Sequence, residues 1–203
     1  NETLNISPKK KNFFNRDRFI LSKGHAALAL YCTIYEKHFI TKNTLDSYGE
    51  ENTILMNHVS HVVPGVEFST GSLGHGLPIA IGKSLNAKKY NKKWKIYALL
   101  SDGELNEGSN WEGLMFAAHH NLDNLTIIID YNKMQSLDYV KKTIRLEPLK
   151  EKFKSFGCYV LDINGHNLLQ IRKAFSKTIQ NKPKVIIANT IKGKGVSFME
   201  NNI

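Results

Sequence analysis

The segment from Ser101 to Gln135 reads SDGELNEGSNWEGLMFAAHHNLDNLTIIIDYNKMQ. An apolar run at Lys95 to Leu100 leads into it and a second, Thr126 to Asp130, closes it; both have the length and composition of buried strands. Between them, Asn110 to His120 predicts an amphipathic helix. Two strands joined by such a helix make a right-handed crossover between parallel neighbours, with both strand ends opening on one edge of the sheet. Open α/β sheets bind ligands at that edge. Asp102 follows the first strand and Asn132 the second, which predicts that they stand side by side. A carboxylate and a side-chain amide are hard oxygen ligands, suited to Mg²⁺ or Ca²⁺ rather than zinc. Gly103 lets the backbone come close to a phosphate.

The rest of the chain extends this pattern. A short extended piece at Phe19 to Leu21 precedes a helix from His25 to Glu36, and a short helix at Lys42 to Tyr48 lies within a loop-rich stretch. Gly71 to Gly76 leads into an apolar helix that ends near Lys89. Further strands are predicted at Tyr159 to Ile163 and Val185 to Asn189, separated by helices at Leu146 to Phe156 and Asn167 to Gln180. Strands alternating with helices predict an α/β fold: a doubly wound, mostly parallel sheet with helices on both faces. No repeat or low-complexity linker divides residues 1 to 203, so a single domain is the economical expectation.

With 203 residues, 41% apolar and 23% charged, the composition is that of a soluble globular chain. No apolar run approaches membrane-spanning length and the first residues lack signal-peptide organisation, so the expected location is the cytoplasm, with no membrane partner. Cys32 and Cys158 belong to no Cys-x-x-Cys pair and read as reduced core residues. The net charge of +10 is dispersed over lysines, without a zinc-finger, RNP or recognition-helix pattern, so no nucleic-acid partner is expected.

At the Asp102-Gly103-Glu104 run, with Glu107-Gly108, Trp111-Glu112 and Asn132, the sequence resembles the thiamine diphosphate signature of transketolases. It departs from the family's Gly-Asp-Gly in its first letter, Ser101. Pro64 to Gly76 resembles a second family segment, whose residues matching Gly71 and Leu73 line the aminopyrimidine end of the cofactor. Leu21-Ser-Lys-Gly-His-Ala26 resembles a third, in which the residue matching His25 reaches the diphosphate. His58 holds the spacing from Pro64 of a histidine that contacts the donor sugar's hydroxyls; His61 is the alternative if the loop shifts. His75 stands where many relatives have Gln, and Lys192 and Lys194 lie in a segment that either neutralises phosphate or is a surface turn.

The resemblance implies thiamine diphosphate as cofactor, with Asp102, Gly103, Glu104, Asn132, His25, Gly71 and Leu73 around it. It implies Mg²⁺ (or Ca²⁺) held by Asp102, Asn132 and the backbone carbonyl of Met134, and catalytic contributions from His25, His58 and Glu107, the last near the subunit interface. A carboxylate in a first helical turn, favourable to the helix dipole, is the plainer reading of Glu107. The resemblance covers only the diphosphate-binding half of a transketolase and implies further segments beyond both ends. It also implies a pyrimidine-binding partner domain or C-terminal subunit, which supplies the glutamate that protonates the cofactor's aminopyrimidine. The implied assembly is a dimer or heterotetramer acting on sugar phosphates by transfer of a two-carbon ketol unit. The alternatives are a deoxyxylulose-phosphate synthase-like or keto-acid dehydrogenase α-like enzyme, or a non-catalytic assembly subunit.

Overall fold

Five strands form one all-parallel sheet: β1 (Arg18–Leu21), β2 (Ile96–Ser101), β3 (Leu125–Tyr131), β4 (Tyr159–Asn164) and β5 (Lys184–Asn189), in the spatial order β1-β2-β3-β5-β4. The computed structural model describes residues 3–8 and 15–202. Register aligns Ser101 with Asp130 and Tyr131 with Asn189, so the C-terminal ends of the central strands lie level. Seven helices are described: α1 (Ala27–Glu36), α2 (Lys42–Asp46), α3 (Gly76–Lys89), α4 (Gly108–His119), α5 (Val140–Thr143), α6 (Leu149–Ser155) and α7 (Leu168–Ser176).

Strict alternation along the strands divides the core. Ile96, Ala98, Leu100, Ile127, Ile129, Val185 and Ile187 pack beneath α3, α4 and α6. Tyr97, Ile128 and Ile186 point to the opposite face, against Ala174 of α7. That split follows from chain direction. The chain steps across the sheet from β1 to β4 and then reverses into β5, and a right-handed crossover in the reverse direction places its helix on the other face. A third cluster, built on Leu21, Ala27, Tyr31 and Leu55, seats α1 against the loops that follow it.

The helix expected from His25 begins instead at Ala27, after a 3₁₀ turn over Gly24–Ala26. α5 was not expected at all; it is a single turn. The expected helix to Gln180 stops at Ser176, where a residue of the next strand meets its last carbonyls. Lys184 is only 6% exposed, and its ammonium donates to the carbonyls of Ala174 (3.0 Å), Phe175 (3.2 Å) and Lys177 (3.0 Å). A cation at a helix C-terminus satisfies carbonyls that would otherwise lack donors, so the helix can end there. Burial, then the neighbouring Lys95, pulls the Lys184 pKa from 10.5 to about 8. Between those pH values the unfolded chain binds the proton more tightly, so stability should rise with pH through this window. The measurement is the stability difference between the wild type and Lys184→Met, which should move in the wild type's favour by about 3 kcal/mol from pH 7.5 to 10.5, at ~1.36 kcal/mol per pKa unit. A difference that stays flat with pH would refute it.

Cys158 is buried, and burial pushes its thiol to about 12. Cys32, expected in the core, is exposed: α1 turns Tyr31 and Ile34 inward and leaves position 32 on its outer side. Among the described residues no helix is long and apolar enough to cross a membrane.

Candidate functional site

The site lies along the C-terminal edge of the sheet, where the loops after β1, β2, β3 and β5 meet. Asp102, directly after β2, is 2% exposed. Its Oδ1 accepts the N–H of Gly103 (2.7 Å) and its Oδ2 the N–H of Lys133 (2.7 Å). The second bond brings the Asn132–Met134 turn against the carboxylate across 31 positions of sequence. Lys133 adopts φ +67, a left-handed conformation that a lysine enters at a cost of about 1–2 kcal/mol, and this bends the chain after β3. The Asn132 Oδ1 accepts the N–H of Met134 at 2.9 Å, closing the turn. A bridge between Met134 and Tyr139 uses the carbonyls of Lys133 and Asp138, leaving the Met134 carbonyl outside that ladder.

Burial pushes the Asp102 carboxyl up to about 6. The two N–H donors and Lys23 draw it down, while Asp130 adds to the rise. Lys23 is committed to Asp130, with Nζ to Oδ2 at 2.7 Å, and Thr190 donates to the other Asp130 oxygen at 2.5 Å. Asp102 is thus a buried anion met by backbone dipoles rather than by a bonded side-chain cation. Such a group favours an added cation. Among the described residues no three His, Cys, Asp or Glu side chains gather as a metal cage. An ion here would therefore need oxygens from amide, carbonyl and ligand.

The loops carrying His25, His58 and Gly71 interlock. A Cβ added to Gly24 would stand 2.9 Å from the Gly71 nitrogen and 3.0 Å from the His58 Cδ2, and one on Gly71 would stand 3.2 Å from that same atom. His58 therefore rests on two glycine backbones. His61 pairs its Nδ1 with Ser69 Oγ at 2.8 Å, so of the two expected candidates His58 is the one set against Gly24 and Gly71. Burial lowers the His25 pKa, and Lys23, His58 and Lys192 lower it further against Asp130; at neutral pH its ring is uncharged and offers one donor and one acceptor. Lys192 thus reaches the field of the site, whereas Lys194 pairs with Glu200 at 3.3 Å. Leu73 and His75 are exposed at the start of α3.

Two acidic residues differ from expectation. Glu104, expected among the cofactor contacts, is 0% exposed and its carboxylate faces inward, taking Ser22 Oγ at 2.5 Å and the Gly74 N–H at 3.1 Å on Oε1. Burial raises its pKa, against those donors. Glu107 is exposed; it is the N-cap residue of α4, but its side chain makes no capping bond and lies beside Gly74 instead. Sequence reasoning missed the Lys23–Asp130–Thr190 group. A charged residue ending an otherwise apolar strand was the available signal for Asp130. It also passed over Gln135, whose Cγ lies 3.3 Å from the Cβ position of Gly103 and whose Oε1 accepts from Asn106 at 3.2 Å.

The family model described as "Transketolase, thiamine diphosphate binding domain" matches residues 1–203, the whole chain. This chain belongs to the transketolase family. It is 44% identical over 199 residues to a subunit of the apulose-4-phosphate transketolase of Actinobacillus succinogenes, covering 97% of this chain and 72% of that protein. It is 39% identical to SqwG, a subunit of the 6-deoxy-6-sulfo-D-fructose transketolase of Clostridium sp., covering 98% of this chain and 74% of the relative. The crystal structure of Campylobacter jejuni transketolase superposes with a TM-score of 0.92 at 33% identity, over 97% of this chain and 32% of that one. The chain thus spans about a third of the solved transketolase, and its doubly wound parallel sheet is the transketolase fold.

Proposed function

We propose that this transketolase chain is the half of the enzyme that anchors thiamine diphosphate through a divalent cation, and that it works with a pyrimidine-binding partner to transfer two-carbon ketol units between sugar phosphates. The observation that carries the reading is Asp102: a buried carboxylate, oriented through both oxygens by Gly103 and Lys133, on the turn that presents Asn132 and Met134. Asp102, the Asn132 side-chain oxygen and the Met134 carbonyl would hold Mg²⁺, and diphosphate oxygens would complete its shell, as Mg²⁺ usually takes few protein ligands. Gly103, with no Cβ, leaves room for the diphosphate, and neutral His25 offers it a ring hydrogen bond. Gly71 and Leu73 would line the aminopyrimidine end.

When bound, thiamine diphosphate supplies the nucleophilic carbon that carries the two-carbon unit. The chain's own part is to bind, orient and exclude water. His58, held against the Gly24 and Gly71 backbones, is placed to hydrogen-bond a donor-sugar hydroxyl, and Glu107 is exposed where a partner protein could meet it. Both bacterial relatives are named as one subunit of a transketolase, which supports a split enzyme whose turnover requires the second half.

Thiamine diphosphate and Mg²⁺ added together should stabilise the chain, mixed with its pyrimidine-binding partner, by about 2.7 kcal/mol at a hundredfold excess over Kd. Either alone should give a much smaller shift in the melting scan, and ketol transfer should appear only when both halves are present. An unchanged melting temperature in that mixture would refute the assignment.

A further inference from the structure

We infer that Glu104 is a positioning residue of the cofactor site, a single buried carboxylate that sets the spacing of three ligand-binding loops without itself touching the ligand. Its Oε1 joins all three loops. Ser22, which opens the loop carrying Lys23 and His25, donates to it from 82 positions away, and the N–H of Gly74, at the end of the Gly71–Leu73 loop, donates from 30 positions away. Glu104 itself stands in the turn that begins with Asp102 and Gly103.

The surroundings make these bonds specific to position. The Gly74 peptide is gripped on both sides: its N–H by Glu104 and the carbonyl of the same residue by Ser109 Oγ at 2.8 Å. That fixes the path of the chain between Leu73 and His75. Ser22 is equally confined, since a Cβ on Gly76 would stand 2.2 Å from its hydroxyl oxygen. The Glu104 backbone is held in turn, with its carbonyl accepting Asn110 Nδ2 at 2.7 Å and its N–H donating to Ser101 Oγ at 3.3 Å. Ser101, the residue that departs from the family's glycine, thereby gains a role: its hydroxyl caps the turn that carries Glu104. The second carboxyl oxygen, Oε2, is buried and has no hydrogen-bond partner. The geometry therefore uses one acceptor atom, and an amide in the same place would supply it.

This inference rests on the proposed cofactor, and the test separates the two. Thiamine diphosphate affinity is titrated in the presence of Mg²⁺ and the pyrimidine-binding partner, well below each variant's melting temperature. Wild type, Glu104→Ala, Glu104→Gln and Ser22→Ala are compared. Glu104→Ala should raise the Kd at least about tenfold, the range seen when a group that orients ligand-binding residues is removed. Glu104→Gln should restore it to within about threefold of wild type, because Gln Oε1 can accept from both Ser22 and Gly74. Ser22→Ala, which leaves the carboxylate in place, should raise the Kd by an intermediate factor and supplies the decision if Glu104→Ala does not fold. A wild-type Kd in Glu104→Ala or Ser22→Ala overturns the inference, as does Glu104→Gln as impaired as Glu104→Ala. Failure of the wild type to bind would instead overturn the function on which the inference stands.

Discussion

Asp102→Ala should reduce Mg²⁺-dependent uptake of thiamine diphosphate by at least about a hundredfold, because the bridge between the anionic diphosphate and the protein would lose its one anionic protein ligand. The same change should leave the melting temperature of the ligand-free chain nearly where it was. Removing a carboxylate whose pKa burial has pushed up to about 6 relieves a desolvation cost. It also strands the N–H groups of Gly103 and Lys133, at roughly 1–3 kcal/mol each, and the two effects oppose one another. Calorimetry with and without Mg²⁺, beside melting scans of the unliganded proteins, checks both halves. Retained affinity in Asp102→Ala would remove Asp102 from the metal site; a collapse of the melting temperature would make its role one of folding.

Gly76→Ala should be among the most damaging single-methyl changes in the chain. The added Cβ would stand 2.2 Å from the hydroxyl oxygen of Ser22, 2.6 Å from its Cβ and 2.8 Å from its Cα. A rotamer change of Ser22 relieves the first contact but not the last, so β1 and the start of α3 must move apart. Overpacking of this kind costs about 1–3 kcal/mol and more where backbone is involved. At the upper end of that range, about 3 kcal/mol, and about 2–4 °C per kcal/mol for a chain of this size, the melting temperature should fall by roughly 6–12 °C. Because Ser22 also bonds Glu104, thiamine diphosphate affinity should fall with it. Gly82→Ala, in the same helix with nothing within 4 Å of the added methyl, is the control and should melt at or slightly above the wild-type temperature. Equal melting temperatures for the two variants would show that the contact at Gly76 is relieved without cost.

The alternating architecture was legible from the chain because its signals are local. Apolar runs such as those leading to Ser101 and Tyr131 are strand-length and bounded by turn residues, and the helical stretches between them repeat at helical spacing. From that alternation the parallel sheet follows, and with it the placement of Asp102 and Asn132 on one edge. The spacing from Pro64 pointed to His58 and left His61 as the alternative, since both sit in one loop; that His58 lies against the backbones of Gly24 and Gly71 while His61 pairs with Ser69 was not legible. The end of α7 was misjudged for a similar reason: the cation that satisfies its last carbonyls comes from the next strand.

The order of strands and helices, the ligand-binding edge, and the residue types that suit a divalent ion and a diphosphate can all be read along the chain. Each depends on spacing within a few tens of residues. Where the charges of that edge are spent depends instead on the folded molecule. Lys23 pairs with Asp130 across 107 positions, and Glu104 turns inward to Ser22 across 82, leaving Asp102 as the buried anion that is held by backbone N–H groups alone. Hydrogen bonds between such distant residues leave no periodic trace in the chain. Their partners are chosen by which loops the folded sheet brings within about 3 Å of one another.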